Sequence, residues 1–534
     1  MKKRSIINLT HFVRGVNQAH PELEYMLRPV KEHLRLMKEY NLSLTVLLQY
    51  DALIDPNFTD LLKENQEERL EIGLWLEIPR ILAEKSNVKW HGNDGWSWDW
   101  HTYSSYLIGY TPQERMALVD EAMESFNRIF GRYPDSVGCW IIDAITLKYL
   151  KEKYNIKAAC ICRDQWGTDG MSLWGGYDSI YYPSENNMFC PGDKENQINL
   201  PVIRMLVNDP MYNFDIDYTR SRLPELEDAE FFTLEPVFPH CGGNEDWVKW
   251  IFSVQSNSAT APYSYAQIGQ ENGFGWAKMG KGLEMQCKYV KTLIDKGLFE
   301  SINVRDTGKW FSENFDVTPA NTVAALTDHK HKGRQSVWYY CQNYRANVFS
   351  ENGKLWFRDL RKFCSDVEEL YLTETCKQHG CRYTNPPVLD GLLFSDDNVR
   401  AGIYPVKKTE KGYEDITVNA PDFEKFGDVL KFRFDDFTVD CTEDRVCMEL
   451  PENGAWELRF SKNAKIKVEI DDDTLCVTSD GTASEQMQDI NESWAESVGC
   501  TMTASVKLLK GKAEMGENKI LLLPQDGKIQ IDFK

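Results

Sequence analysis

Short apolar runs alternate with amphipathic stretches through the first part of the chain, and this alternation is the signature of repeated βα units and a parallel sheet. Strands are predicted over 5–10, 42–50, 70–76, 136–142, 157–162, 202–206 and 230–234. Between them the 3.6-residue period predicts helices over 22–40, 60–68, 111–130 and 144–153, with another over 276–296. Seven or eight such units close naturally into a barrel. An open doubly wound sheet is the alternative, but no glycine-rich phosphate loop follows the first strand to support it. The fold class expected is therefore α/β, a (β/α)7–8 barrel.

Two long excursions, 82–110 and 163–200, break the rhythm and are rich in Gly, Trp, Tyr, Asn and Asp. Excursions of this length in a compact domain usually form lids or walls of a site. Segment 321–370 is expected to hold one more strand, at 335–340, and a further helix. From about Ala401 short alternating runs separated by Gly, Asn and Asp turns argue for a C-terminal antiparallel β-sandwich domain. The organisation expected is a catalytic barrel over 1–300, an extension packing on it over 301–400, and a sandwich over 401–534.

Side chains that end parallel strands converge on one rim of a barrel. Here they are His11 after the first strand, Asp51 after the second, Glu77 after the third, Asp143 after the fourth, and Arg163 and Asp164 after the fifth; Arg204 lies in the sixth and Glu235 follows the seventh. Glycoside hydrolysis needs two carboxyl groups, one to protonate the leaving oxygen and one to attack or to activate water. Glu77, Asp143 and Glu235 are the catalytic candidates. Glu77 follows the apolar run Ile72-Gly73-Leu74-Trp75-Leu76 and shares a strand face with Trp75. Asp143 also suits a helix N-cap, and Glu77 an ordinary buried salt bridge with an arginine such as Arg80. Glu235 runs into the rigid loop Pro236-Val237-Phe238-Pro239. Substrate-binding candidates are His11, Arg14, Asp51, Trp75, Trp98, Asp164, Arg204 and Gln270.

Composition narrows the substrate. A formal charge of −21 and a pI near 5.0 oppose binding to nucleic acid or an anionic membrane. Sixteen tryptophans and twenty-four tyrosines, several in polar stretches such as Trp96-Ser97-Trp98-Asp99-Trp100 and Trp174-Gly175-Gly176-Tyr177, suit the C–H faces and hydroxyl edges of sugar rings. Fourteen cysteines lie singly, and Cys160 and Cys162 alternate along a strand rather than forming a clamp, so free thiols in a reducing, cytoplasmic setting are expected. No stretch has the length of a signal peptide's apolar core or of a membrane span.

The order of elements resembles the polysaccharide deacetylase (NodB-homology) barrels and related glycoside hydrolases over about the first three hundred residues. The family's motif after the third strand is E-I-G-x-H-x-x-x-H. Glu71-Ile72-Gly73 keeps its opening, but Trp75 and Pro79 stand at the two metal-binding histidine positions. Thr10-His11-Phe12-Val13-Arg14 replaces the first-strand aspartate pair. The resemblance thus implies a barrel from which the metal has been removed. His329 and His331 could chelate, but a solvated loop pair is the favoured reading of them.

These readings give the following expectation: a glycosidase with no metal and no cofactor, exo-acting on a terminal sugar. Arg14, Arg163, Arg204 and Arg345 would grip the carboxylate of an acidic sugar, sialic or uronic, if that is the substrate. A metal-dependent carbohydrate deacetylase and a non-catalytic carbohydrate-binding protein are the alternatives. The partners expected are the carbohydrate and at most a second copy of the chain.

Overall fold

A computed structural model describes residues 3–168, 171–215, 232–257, 262–418, 422–426, 428–434, 436–480 and 501–534. Seven parallel strands form the main path of the nine-stranded first sheet: β1 (Arg4–Val13), β2 (Leu44–Leu48), β3 (Leu70–Trp75), β4 (Ser136–Gly138), β5 (Ala158–Cys162), β6 (Val202–Met205) and β7 (Tyr263–Glu271). Glu300–Ser301 adds a short parallel pairing to β1. Their order is β7-β1-β2-β3-β4-β5-β6, with Ile180–Tyr181 antiparallel to β6. The sheet is a nearly closed barrel. Helices Leu23–Tyr40, Pro112–Phe130, Ala144–Tyr154 and Gly275–Asp295 lie where the apolar period puts them, and Pro56–Glu64 starts four residues before the expected 60–68, at the Asp55 cap and Pro56. Their ends follow local rules: Thr111 and Glu114 form a reciprocal capping box, and Asn155, at a φ of 53°, closes the Ala144–Tyr154 helix.

β7 is a strand that the apolar pattern misses. Part of the predicted strand 230–234 lies outside the described residues, and Thr233 makes only an isolated bridge to Asn208. Among the described residues no ladder joins β6 to β7. The Arg163 guanidinium spans that seam instead, donating to the carbonyls of Arg204 on β6 (3.3 Å) and Tyr265 on β7 (3.4 Å), and the Tyr263 hydroxyl donates to Ile180 O.

The barrel interior is layered. At the N-terminal end Glu71, Thr45 and Ser136 meet the start of the helix Val304–Asn314. At the other end Phe12 stacks on Trp75 at 4.4 Å, and Trp140 meets Trp75 edge-on at 5.4 Å. Gly138 makes room for this aromatic layer: a Cβ there would stand 2.6 Å from Leu47 and 3.1 Å from the Trp75 ring.

Two antiparallel sheets, of ten and eight strands, and a small three-stranded sheet of Gln165–Thr168, Met171–Trp174 and Cys381–Thr384 build the remainder. The helix expected within 321–370 is replaced by strands Tyr344–Glu351 and Lys354–Lys362, joined by Asn352-Gly353 at φ 52° and 75°. This is the Asn-Gly hairpin turn, whose backbone twist fits the strands it connects. The ten-stranded sheet takes strands from both sides of position 401, from Asn321–Ala325 through Lys519–Leu523.

A balanced ionic network joins this sheet to the barrel. Asp164 accepts from Arg204 (3.1 Å) and Arg345 (2.5 Å), Arg345 pairs with Asp359, and Arg361 pairs with Asp359 and Asp390. Burial alone would raise the Asp164 pKa, but Arg345 and Arg204 outweigh it and hold the carboxyl below its usual range.

Candidate functional site

The C-terminal mouth of the barrel gathers residues from three strand ends. Arg14, following β1, makes a bidentate pair with Glu77, following β3, at 2.8 Å for each of Nε–Oε2 and Nη2–Oε1. Its third nitrogen, Nη1, meets Oε2 of Glu271 at the end of β7, at 2.5 Å. All three guanidinium nitrogens are thus engaged by carboxylates. Burial opposes the charge on Arg14, yet Glu271 and Glu77 more than offset it and raise its pKa well above the ordinary value.

Local structure fixes this arrangement. The side-chain amide of Asn272 clasps the Arg14 backbone, accepting from its N–H (2.9 Å) and donating to its carbonyl (2.8 Å). The excursion after β3 folds back over the mouth, with Ile78 N bonded to Ser105 O and Arg80 N to Ser97 O. Gln18 holds the crest of this loop by accepting from Ser97 N (3.0 Å) and donating to Trp98 O (2.6 Å). Trp98 thereby lies over Arg14, with the guanidinium carbon 4.7 Å from the ring centroid. The buried salt bridge with an arginine considered for Glu77 is formed, but with Arg14 and not Arg80, which pairs with Glu84.

Asp51 is the fourth member of the mouth. Its Oδ1 accepts from Gly15 N (2.9 Å) and Ala52 N (2.8 Å). Burial pushes its pKa up to about 6, against the lowering effects of those two amides and Arg14; Glu77 adds to the rise. Gly15 is required here, because a Cβ would fall 2.7 Å from the Asp51 carboxyl carbon.

The other sequence candidates lie in different surroundings. Asp143 caps the helix Ala144–Tyr154 by accepting from Thr146 N (3.0 Å) and ion-pairs with Arg115 (3.0 Å), fully buried. Glu235 accepts from Thr233 Oγ1 (3.1 Å) and from Gln270 Nε2 (2.8 Å). His11 alternates with the inward Phe12, faces the helical layer and stacks on His33 at 3.6 Å. Burial keeps that pair neutral, lowering His11 and pushing His33 down to about 4. Asp164 and Arg204 belong to the network beneath the second sheet. Arg163 pairs with Asp178 (3.1 Å), so each of the four arginines proposed to grip a substrate carboxylate already faces an acid of the protein.

Glu77, Arg14, Asp51, Trp75 and Trp98 are therefore the candidates that the fold brings together. Glu271 and Gln49 are added by the structure. Glu271 had a legible signal: it is an acid closing an alternating aromatic and polar run, as Glu77 closes an apolar one.

A divalent cation, which the resemblance to deacetylases implies, does not fit this donor set. Glu77 and Glu271 are paired to a guanidinium whose charge would repel it, and among the described residues no three His, Cys, Asp or Glu side chains cluster as ligands. Nor is any helix among them long and apolar enough to cross a membrane.

No family model matches the chain, and no curated protein matches it. Among solved structures it is similar to a candidate glycoside hydrolase/deacetylase from Parabacteroides distasonis, at 14% identity over 69% of this chain and 86% of that one, with a TM-score of 0.49. It is also similar to a polysaccharide deacetylase from Pseudomonas aeruginosa, at 13% identity over 58% and 92% with a TM-score of 0.37. A Puue allantoinase is similar at 13% identity over 59% and 93%, with a TM-score of 0.37.

Proposed function

We propose that the chain is a carbohydrate-active hydrolase that cleaves a glycosidic bond to a terminal sugar at the barrel mouth. The observation that carries this reading is the convergence of Asp51, Glu77 and Glu271 around one guanidinium, beneath Trp98. Two carboxyl groups in different protonation states are the requirement of the reaction. Asp51, with its pKa near 6, is the general acid that gives its proton to the leaving oxygen. Glu77 has both oxygens committed to Arg14, whereas Glu271 meets it through Oε2. Glu271 Oε1 is thus the oxygen that attacks the anomeric carbon or takes a proton from water, and Glu77 acts by positioning Arg14. The acidic-sugar version of this reading draws no support from the four arginines, each of which is already paired.

The test is hydrolysis of a panel of aryl glycosides by wild type, Asp51→Asn and Glu271→Gln, with and without chelator. Glu271→Gln should lose turnover on the order of 10³-fold. Asp51→Asn should lose it on glycosides with poor leaving groups only, because an activated aryl group departs without a proton. In wild type, kcat/KM should fall as pH rises through about 6, as Asp51 gives up its proton, and the variant should lack that limb. Absence of cleavage across the panel, or activity confined to acetylated sugars and dependent on metal, would replace this reading with the deacetylase one.

A further inference from the structure

The mouth also holds polar atoms that the protein itself leaves without partners. Gln49 is fully buried, yet neither its amide nitrogen nor its oxygen makes a hydrogen bond. The indole N–H groups of Trp75 and Trp140, 1% and 7% exposed, are in the same condition. Register places the three together. Leu47 pairs with Phe12 and with Gly73, so Gln49, two residues on, stands on the same inward face between Arg14 and Trp75. Trp140 touches Trp75 edge-on at 5.4 Å. A buried polar group without a partner is costly, and three at one rim leave donors and an acceptor there that the protein itself does not satisfy.

The chemistry of that surface is specific. It offers amide and indole N–H donors and one amide acceptor, none of them ionised. Around it stand Asp51, Glu77 and Glu271 against the single guanidinium of Arg14. His20 adds no positive charge at neutral pH, because burial lowers its pKa. The rim is therefore net negative, and every nitrogen of Arg14 is already bonded to a carboxylate. An anionic ring would meet repulsion and no unshared cation, whereas hydroxyl groups both accept from the N–H donors and donate to the amide oxygen.

We propose that Gln49, Trp75 and Trp140 form the recognition floor for an uncharged polyhydroxylated ring, so that the substrate is a neutral sugar and not a uronic or sialic acid. The reaction assigned to this ring rests on the glycosidase reading, while its recognition is a matter of binding and can be tested separately.

The experiment is calorimetric titration of wild type, Gln49→Met and Trp140→Phe with glucose, galactose, mannose, N-acetylglucosamine, glucuronate and N-acetylneuraminate, together with thermal melts. At least one neutral sugar should bind, and both acids at least about tenfold more weakly. Gln49→Met should weaken binding of the neutral sugar about tenfold, the worth of one hydrogen bond, while leaving Tm unchanged or raised, because an unpartnered buried amide is removed. A structural amide would give the opposite pattern: a lowered Tm with affinity unchanged. That outcome overturns the proposal, as does tighter binding of either acid or binding of no sugar at all. Gln49-dependent binding of a neutral sugar without cleavage of any neutral aryl glycoside would uphold the floor and remove the glycosidase reading alone.

Discussion

Glu71 and Glu77 stand on the same face of β3, one at each end of the barrel, and the fold treats them in opposite ways. Glu71 accepts from three neutral donors, Thr45 Oγ1 (3.0 Å), Ser136 Oγ (2.7 Å) and the backbone N–H of Arg305 (3.0 Å), which seal the bottom. Burial still raises its pKa, against those bonds. Glu77 is held by a charge, and the polar atoms beside it on Gln49, Trp75 and Trp140 are left unserved. Both acids are buried, so burial alone does not distinguish structure from function. What distinguishes them is whether the neighbourhood is complete without a ligand.

The largest expected effect breaks that contrast at the top. Glu77→Gln releases half of the grip on Arg14 and should lower kcat on the order of 10²-fold with little change in KM, the pattern of a positioning group whose loss is felt in the transition state. Re-engagement of Arg14 by Glu271 should limit the loss of stability. If kcat is unchanged, the mouth is as structural as the bottom. At the bottom, Glu71→Ala strands three donors and should cost about 3 kcal/mol in urea unfolding, with kcat within twofold of wild type for the protein that remains folded. A selective loss of kcat there would show that the two ends are not separable.

The smallest effect concerns a third buried acid, Glu369, which accepts from Ala144 N (3.1 Å) and Met188 N (2.8 Å) near Asp143. Burial, with Asp143 adding to it, pushes its pKa up to about 8. Because the folded value lies above the unfolded one, its contribution is fully present at acid pH and is lost as pH rises toward and through about 8. Tm should therefore be lower at pH 9 than at pH 6, and Glu369→Gln should flatten that difference. An unchanged slope would assign the alkaline loss to other groups.

Much of the mouth was legible because strand direction is legible. Apolar runs with one dominant period announce β2 and β3, and in a parallel sheet the residues that end them must share a rim, which is how Asp51 and Glu77 emerge. The same rule misplaces His11, because alternation sends every second residue outward and the position of strand entry, not the run itself, decides which. β7 itself escaped, and with it the strand-end place of Glu271, because the strand is unusually polar: Ser264, Gln267 and Gln270 break its apolar pattern, and only tertiary partners such as Gln255 O for Ser264 make them tolerable in a strand. Asp143 is ambiguous in sequence, since an N-cap and a strand-end acid are the same residue in the same place. Gln49 could not be found at all, because what marks it is the lack of a partner, a property of its surroundings.

The seam between β6 and β7 carries a consequence for how this chain is inherited. Arg163 bridges the slit from within, and the wall outside it is supplied by the second sheet, where the Arg345–Asp164 pair and the Arg358 and Trp338 bonds to Pro210 O press residues of that sheet onto the barrel. A gene fragment that carried the seven strands alone would leave Asp164 and Arg204 as a charged pair stripped of its balancing neighbours along an open flank. Exchange of the loops at the mouth would leave these contacts intact, whereas separation of the barrel from the second sheet would lose them all.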